Sequence, residues 1–159
     1  MSGTDELYDE DFLLWTQSQA KLLRAAAERR VNIPLDWENL AEEIESLGKS
    51  QRAELRSRLT TIIEHLLKLE HSSAPELRNG WRETVGRTRH DAELVLDDNP
   101  SLRREVPALV EEMFRRFARF PVEEMIRRGE FEKRLKDEIL ARPYTAEQVL
   151  GDWFPDRPA

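Results

Sequence analysis

Between residues 55 and 69 the chain repeats Leu55, Leu59, Ile62, Leu66 and Leu69 at spacings of four and three, with Ile63 and Leu67 beside them. At about 100° per residue this spacing gathers all seven side chains into one wide apolar stripe on an α-helix, whereas a strand would divide them between two faces. A stripe of that width belongs to a helix enclosed by several neighbours, so the rest of the chain has to supply them. The predicted helix runs from about Lys49 to His71, with Glu64 and Lys68 on its outer side as an i,i+4 pair.

The neighbours are read by the same periodicity, and no alternating strand pattern interrupts it. A first helix is expected over about Asp9 to Arg30, with Phe12, Trp15, Leu22, Leu23 and Ala26 on one face; Val31, Asn32, Ile33 and Pro34 break it. Asp36 then caps a second helix, whose apolar line is Trp37, Leu40, Ala41, Ile44 and Leu47 and which Gly48 is expected to stop. After the loop Ser72–Pro75, a fourth helix over about Glu76 to Asp98 buries Leu77, Trp81, Thr84, Thr88, Ala92 and Val95. A fifth starts at Asn99, Pro100 and Ser101 and carries Leu102, Val106, Leu109, Val110, Met113, Phe117 and Phe120. In it, Pro107 marks either a kink or the first turn of a fresh helix. Short helices near Val122–Arg128 and Glu130–Leu140 follow. Thr145 caps a last one, with Val149, Leu150, Trp153 and Phe154 available to dock. The expected fold is all-α: a single-domain antiparallel bundle of four to five long helices over residues 1–159, its core at about 8–120 and a short helical C-terminal extension at about 121–155.

Composition narrows the function classes. Charged residues make up 36% of the chain, and no apolar run approaches the roughly 18 residues of a membrane span. The acidic start, MSGTDELYDED, lacks the basic and then apolar order of a secretory signal. With no cysteine for disulfides, thiolate metal sites or nucleophiles, a cytoplasmic location is expected. A net charge of −7 argues against general affinity for nucleic acid or acidic membranes, and the excess of arginine over lysine reads as compositional bias.

Two groups of residues are candidates for function. Glu38, Glu42 and Glu45 line the flank of the second helix away from its apolar stripe, as the wet side of an amphipathic helix does. Arg78, Arg82 and Arg89 form a basic line on the fourth helix, suited to face that acidic line or to recruit an acidic partner. The second group, Gln19, Glu43, His65 and Trp81, could edge a pocket between helices. Gln19 falls in the middle of an apolar stripe, where a buried amide must find partners, and core hydrogen bonding is the plainer reading. Inward-facing Glu-x-x-His pairs of the di-iron type are absent, and His90 with Glu93 lies off its helix's stripe, so no metal or cofactor is expected.

The series YDEDFLLWTQSQAKLLR, LDWENLAEEIESLGKSQRAELRSRL, HLLK, GWRETVGRTRHDAELVLDDNPSL and PYTAEQVLGDWFP resembles the bacterial family known only as domain of unknown function 29. The resemblance covers about Tyr8 to Pro155 and is weakest between about Arg115 and Leu140, where the family's acidic-Thr-Gly-Leu pattern is not found. It implies an all-helical bacterial protein and brings no catalytic residues, cofactor or reaction with it. The residues then favour a non-catalytic protein–protein interaction or accessory module, antitoxin-like in character. Another protein is the expected partner, and self-association is an alternative. A small-ligand protein or enzyme with an inter-helix pocket ranks second, and nucleic-acid binding through Arg78, Arg82 and Arg89 or residues 103–119 ranks last.

Overall fold

The computed structural model describes residues 4–29 and 32–156, and every regular element among them is helical, with no strand. None of these helices is long and apolar enough to cross a membrane. The expected all-α class is therefore what the described residues form.

The first expected helix is two. Helix α1 covers Thr4–Glu10 and α2 Phe12–Glu28, while Arg30 and Val31 lie outside the described residues. Asp11 divides them because it takes an extended conformation and its carboxylate accepts from the Leu14 backbone N–H at 2.9 Å, which caps a new helix. The buried line of α2 is Leu13, Thr16 and Ala20, whereas Leu22 is 54% exposed. Phe12 and Trp15 are drawn off the expected face by Tyr8, whose ring meets Trp15 edge-on at 4.8 Å while Phe12 stacks on Trp15 at 5.8 Å.

The second and third expected helices are one. Helix α3 runs unbroken over Trp37–His71, 35 residues, with Asp36 accepting from the Asn39 N–H as the expected cap. Gly48 does not stop it. A Cβ on Gly48 would lie 2.2 Å from Thr16 Oγ1 and 3.1 Å from Leu13 Cδ1, so the missing side chain makes room for α2 against α3. Helix α4 covers Arg78–Asp98, α5 Val106–Phe117, α6 Arg119–Arg127, α7 Lys136–Leu140 and α8 Ala146–Leu150. Of the two outcomes left open at Pro107, the structure shows the fresh start: a 3-10 segment over Pro100–Glu105 ends and α5 begins with Pro107 in its first turn.

The chain divides into two compact units: residues up to Leu55 with Leu94–Arg103, and Arg56–Glu93 with the residues from Arg104 onward. In the first unit α2 runs antiparallel to the start of α3, since Arg24 near its end meets Glu38 and Glu45 while Thr16 meets Gly48. A buried polar knot ties the unit together. Asp11 accepts from the Ser101 N–H at 2.7 Å and Ser101 Oγ at 3.1 Å, and fully buried Asn99 accepts from the Leu13 N–H at 3.0 Å and donates to Gln51 Oε1 and the Val95 carbonyl.

In the second unit the apolar stripe of α3 is the core: Leu59, Ile62, Ile63, Leu66, Leu67 and Leu69 are each at most 1% exposed. Helix α4 runs antiparallel to α3, with Arg58 against Asp91 and Arg78 against the Leu69 carbonyl. Its buried line is Arg78, Val85, Thr88, Arg89, Ala92 and Leu96, rotated about one position from the expected face, of which Thr88 and Ala92 remain. The inward aromatic residue of α5 is Phe114; Phe117 at its end and Phe120 in the first turn of α6, both expected in the core, are 37% and 63% exposed. Gly129, at φ 74°, turns the chain after α6 in a conformation that disfavours any side chain. The capping box of Thr145 and Gln148 starts α8 as expected, and Val149 is fully buried, so the C-terminal segment docks.

Candidate functional site

Helix ends explain where the basic line of α4 goes. The last carbonyls of a helix lack intrahelical donors, and a buried cation is a favourable partner for them. Arg78 donates to the Leu69 carbonyl in the last turn of α3 at 2.5 Å. Arg89, only 8% exposed, donates from Nε to the Val149 carbonyl at 2.8 Å, and from Nη2 to the Gln148 and Trp153 carbonyls at 2.8 and 2.7 Å. Burial lowers its pKa, but a guanidinium starts so high that the charge stays. Phe154 lies over both Arg82 and Arg89, at 4.0 and 4.7 Å from its ring centre. Two of the three arginines expected on an interaction face are thus internal fasteners; Arg82 alone is exposed. The acidic line has its own cation: Arg24 takes Glu38 and Glu45, while Glu42 faces solvent. The expected match between the two lines is replaced by these partners, because α4 turns Arg78 and Arg89 toward helix-end carbonyls.

The four pocket candidates do not converge. Gln19 is half-buried on α2 and Glu43 is exposed on α3. His65 is engaged through Nδ1 with the Thr61 carbonyl at 2.8 Å, one turn back on its own helix. Trp81 lines a small recess of about 80 Å³ beside Ser72, Met125 and Glu130, and none of the other three shares it.

Two other recesses of the second unit have more chemical content. The larger, a groove of about 790 Å³, lies along α6 between α3 and the 3-10 turn Lys133–Leu135, with an apolar floor of Ile63, Pro121 and Ile126 and the exposed rings of Phe117 and Phe120 at its edge. Every carboxylate lining it has a cation: Glu64 holds Lys68, Glu124 holds Arg128, and Glu123 holds Lys136 at 2.5 Å and Arg119 at 2.7 Å. Lys136 and then Arg119 hold the Glu123 carboxyl down at about 2. Arg127 and Lys133 also line the groove and have no carboxylate partner among the described residues, so its residual charge is positive.

The smaller recess, about 390 Å³, sits where α3 ends against α7 and the approach to α8. The Tyr144 hydroxyl donates to Glu70 Oε2 at 2.5 Å, and His71 Nε2 stands 3.6 Å from the same oxygen. Burial lowers the His71 pKa against the opposing pull of Glu70, while burial and then Glu70 raise that of Tyr144, so both are neutral near pH 7. This cluster was missed in the sequence. Glu70 and His71 lie at the end of an apolar stripe that draws attention elsewhere, and Tyr144 follows 74 residues later, so no local spacing joins them.

The described residues contain no group of three or more His, Cys, Asp or Glu able to hold a metal. Fold and recesses together define an all-α protein with polar and aromatic surface recesses. The chain belongs to the family described as Domain of unknown function DUF29, whose model matches residues 7–154. It is similar to an alpha-helical protein of unknown function from Rhodospirillum rubrum, a crystal structure with 26% identity and a TM-score of 0.70 over 91% of this chain and 89% of that one. No curated protein matches.

Proposed function

We propose that the chain is a non-catalytic protein-interaction module that receives an acidic, apolar-faced helical segment of a partner protein in the groove along α6. The observation that carries this reading is the pair of exposed rings, Phe117 and Phe120, above an apolar floor whose unpaired charges are Arg127 and Lys133. Apolar anchors would give such a segment its affinity, and the cations would select carboxylates and speed encounter. An accessory or antitoxin-like role in the cytoplasm fits a module of this kind.

A photo-crosslinking residue in place of Phe120, in the native host, tests the reading, with the same residue at Leu22 as control. One polypeptide attached at 120 only, and lost with Arg127→Glu and Lys133→Glu together, is the expected result. Equal attachment at both positions, or attachment that survives charge reversal, would count against it, and attachment of a second copy would move the role to self-association. A second reading, small-ligand binding, is favoured by the Glu70, His71 and Tyr144 cluster in the separate recess.

A further inference from the structure

The charges in the recess at the end of α3 do not cancel. Glu138 is paired with Arg142 at 3.1 Å, which leaves Glu70 as the carboxylate without a cation. The groups that face Glu70 are the Tyr144 hydroxyl, a neutral donor, and the His71 ring, whose lowered pKa keeps it neutral near pH 7. A carboxylate with only neutral partners attracts a cation that can reach it, and partial shielding from water strengthens that attraction. Tyr144 also fixes its direction. Buried at 8% exposure and packed edge-on against Phe114 at 5.5 Å, with Trp153 at 5.7 Å, the tyrosine holds Oε2 and leaves Oε1 as the free acceptor. Leu67, Leu135, Ile139 and Pro143 supply the apolar part of the recess lining, against which a short hydrocarbon stem can lie.

We infer that this recess binds a small organic cation, an alkylammonium or guanidinium group on an apolar stem, with the charged head at Glu70 and the stem against Leu67, Leu135 and Ile139. It rests on the small-ligand reading and is independent of the groove. Glu70 is the anion and Tyr144 its positioning residue. The same chemistry is offered by a free amine and by a lysine or arginine side chain on another protein, and the free amine is favoured by the recess's volume of about 390 Å³, that of a small-molecule site.

The test follows the His71 and Tyr144 side-chain resonances of the full chain by NMR during titration with n-pentylammonium and n-butylguanidinium, against 1-pentanol and pentanoate at equal ionic strength. Saturable shifts with the two cations, at least about tenfold weaker with the alcohol and absent with the anion, are expected. Glu70→Gln weakens the cations by at least about tenfold, and Phe120→Ser in the groove leaves them unchanged, which separates failure here from failure of the groove. Equal affinity for 1-pentanol, or no saturation by about 50 mM cation, would overturn the inference in the unmodified protein, whatever becomes of the Glu70 variant's folding. A lysine-containing peptide binding more than about tenfold tighter than n-pentylammonium would assign the cation to a partner's side chain.

Discussion

Arg89 gathers three backbone carbonyls, those of Gln148, Val149 and Trp153. Its planar fork presents Nε and Nη2 along fixed directions, and a lysine ammonium in that place reaches one or two acceptors and strands the rest. Arg89→Lys is therefore expected to cost about 2–4 kcal/mol, the range for losing charge-assisted hydrogen bonds in a buried setting. Urea denaturation of the two proteins measures it. The same substitution at exposed Arg87, paired with Glu83 along the surface of α4, should change stability by less than about 0.5 kcal/mol. The sequence placed Arg89 on a solvated flank because an arginine on a charge-rich helix usually sits there. Nothing local announces that its acceptors lie about sixty residues on.

At the level of single helices, glycine shows how the same residue type carries opposite meanings. Gly48 and Gly86 both lie inside long helices, where replacing glycine by alanine gains about 0.5–1 kcal/mol if space permits. At Gly86 nothing stands within 4 Å of the new methyl, so Gly86→Ala should raise the melting temperature. At Gly48 the methyl meets Thr16 Oγ1, which is fixed by its 2.7 Å bond to the Leu13 carbonyl, so Gly48→Ala should cost about 1–3 kcal/mol through overpacking. Read from sequence alone, Gly48 is a helix stop, and only the opposing helix reveals the contact. Helix α3 was legible from residue 55 onward because seven apolar residues vote for one face. Helix α4 was not, since its small, hydroxyl and charged residues allow neighbouring rotations with similar apolar content. The tie between α6 and α7 makes a pH prediction. Because Glu123 is held at about 2 when folded, against 4.5 as an ordinary carboxyl, its contribution is complete above pH 4.5 and is lost as pH falls toward about 2. Glu123→Gln should flatten that part of the acid-unfolding curve, and added salt should shrink the difference between the two proteins.

For the molecule as a whole, the fold class was available because helical periodicity is a property of short windows, and the family through the resemblance of the sequence blocks along the chain. The recesses were not, because each is assembled from segments far apart in sequence. Ending the chain after Arg142 removes Tyr144, Val149 and the acceptors of Arg89 together. Circular dichroism of that truncated chain should show retained helix with a broadened, lower-temperature melt, since α3 keeps its local bonds while a buried guanidinium and the Glu70 carboxylate lose their partners.

The Arg89 clamp also sets an order of events in time. During synthesis, α3 and α4 leave the ribosome well before residues 148–153 exist, so Arg89 has no buried home when its own helix first forms. The second unit must wait, its guanidinium still in water and its core stripe short of one wall, until α8 emerges and is drawn into place. Synthesis paused before residues 148–153 emerge would thus hold α3 and α4 in a form that proteases and chaperones recognise as unfinished.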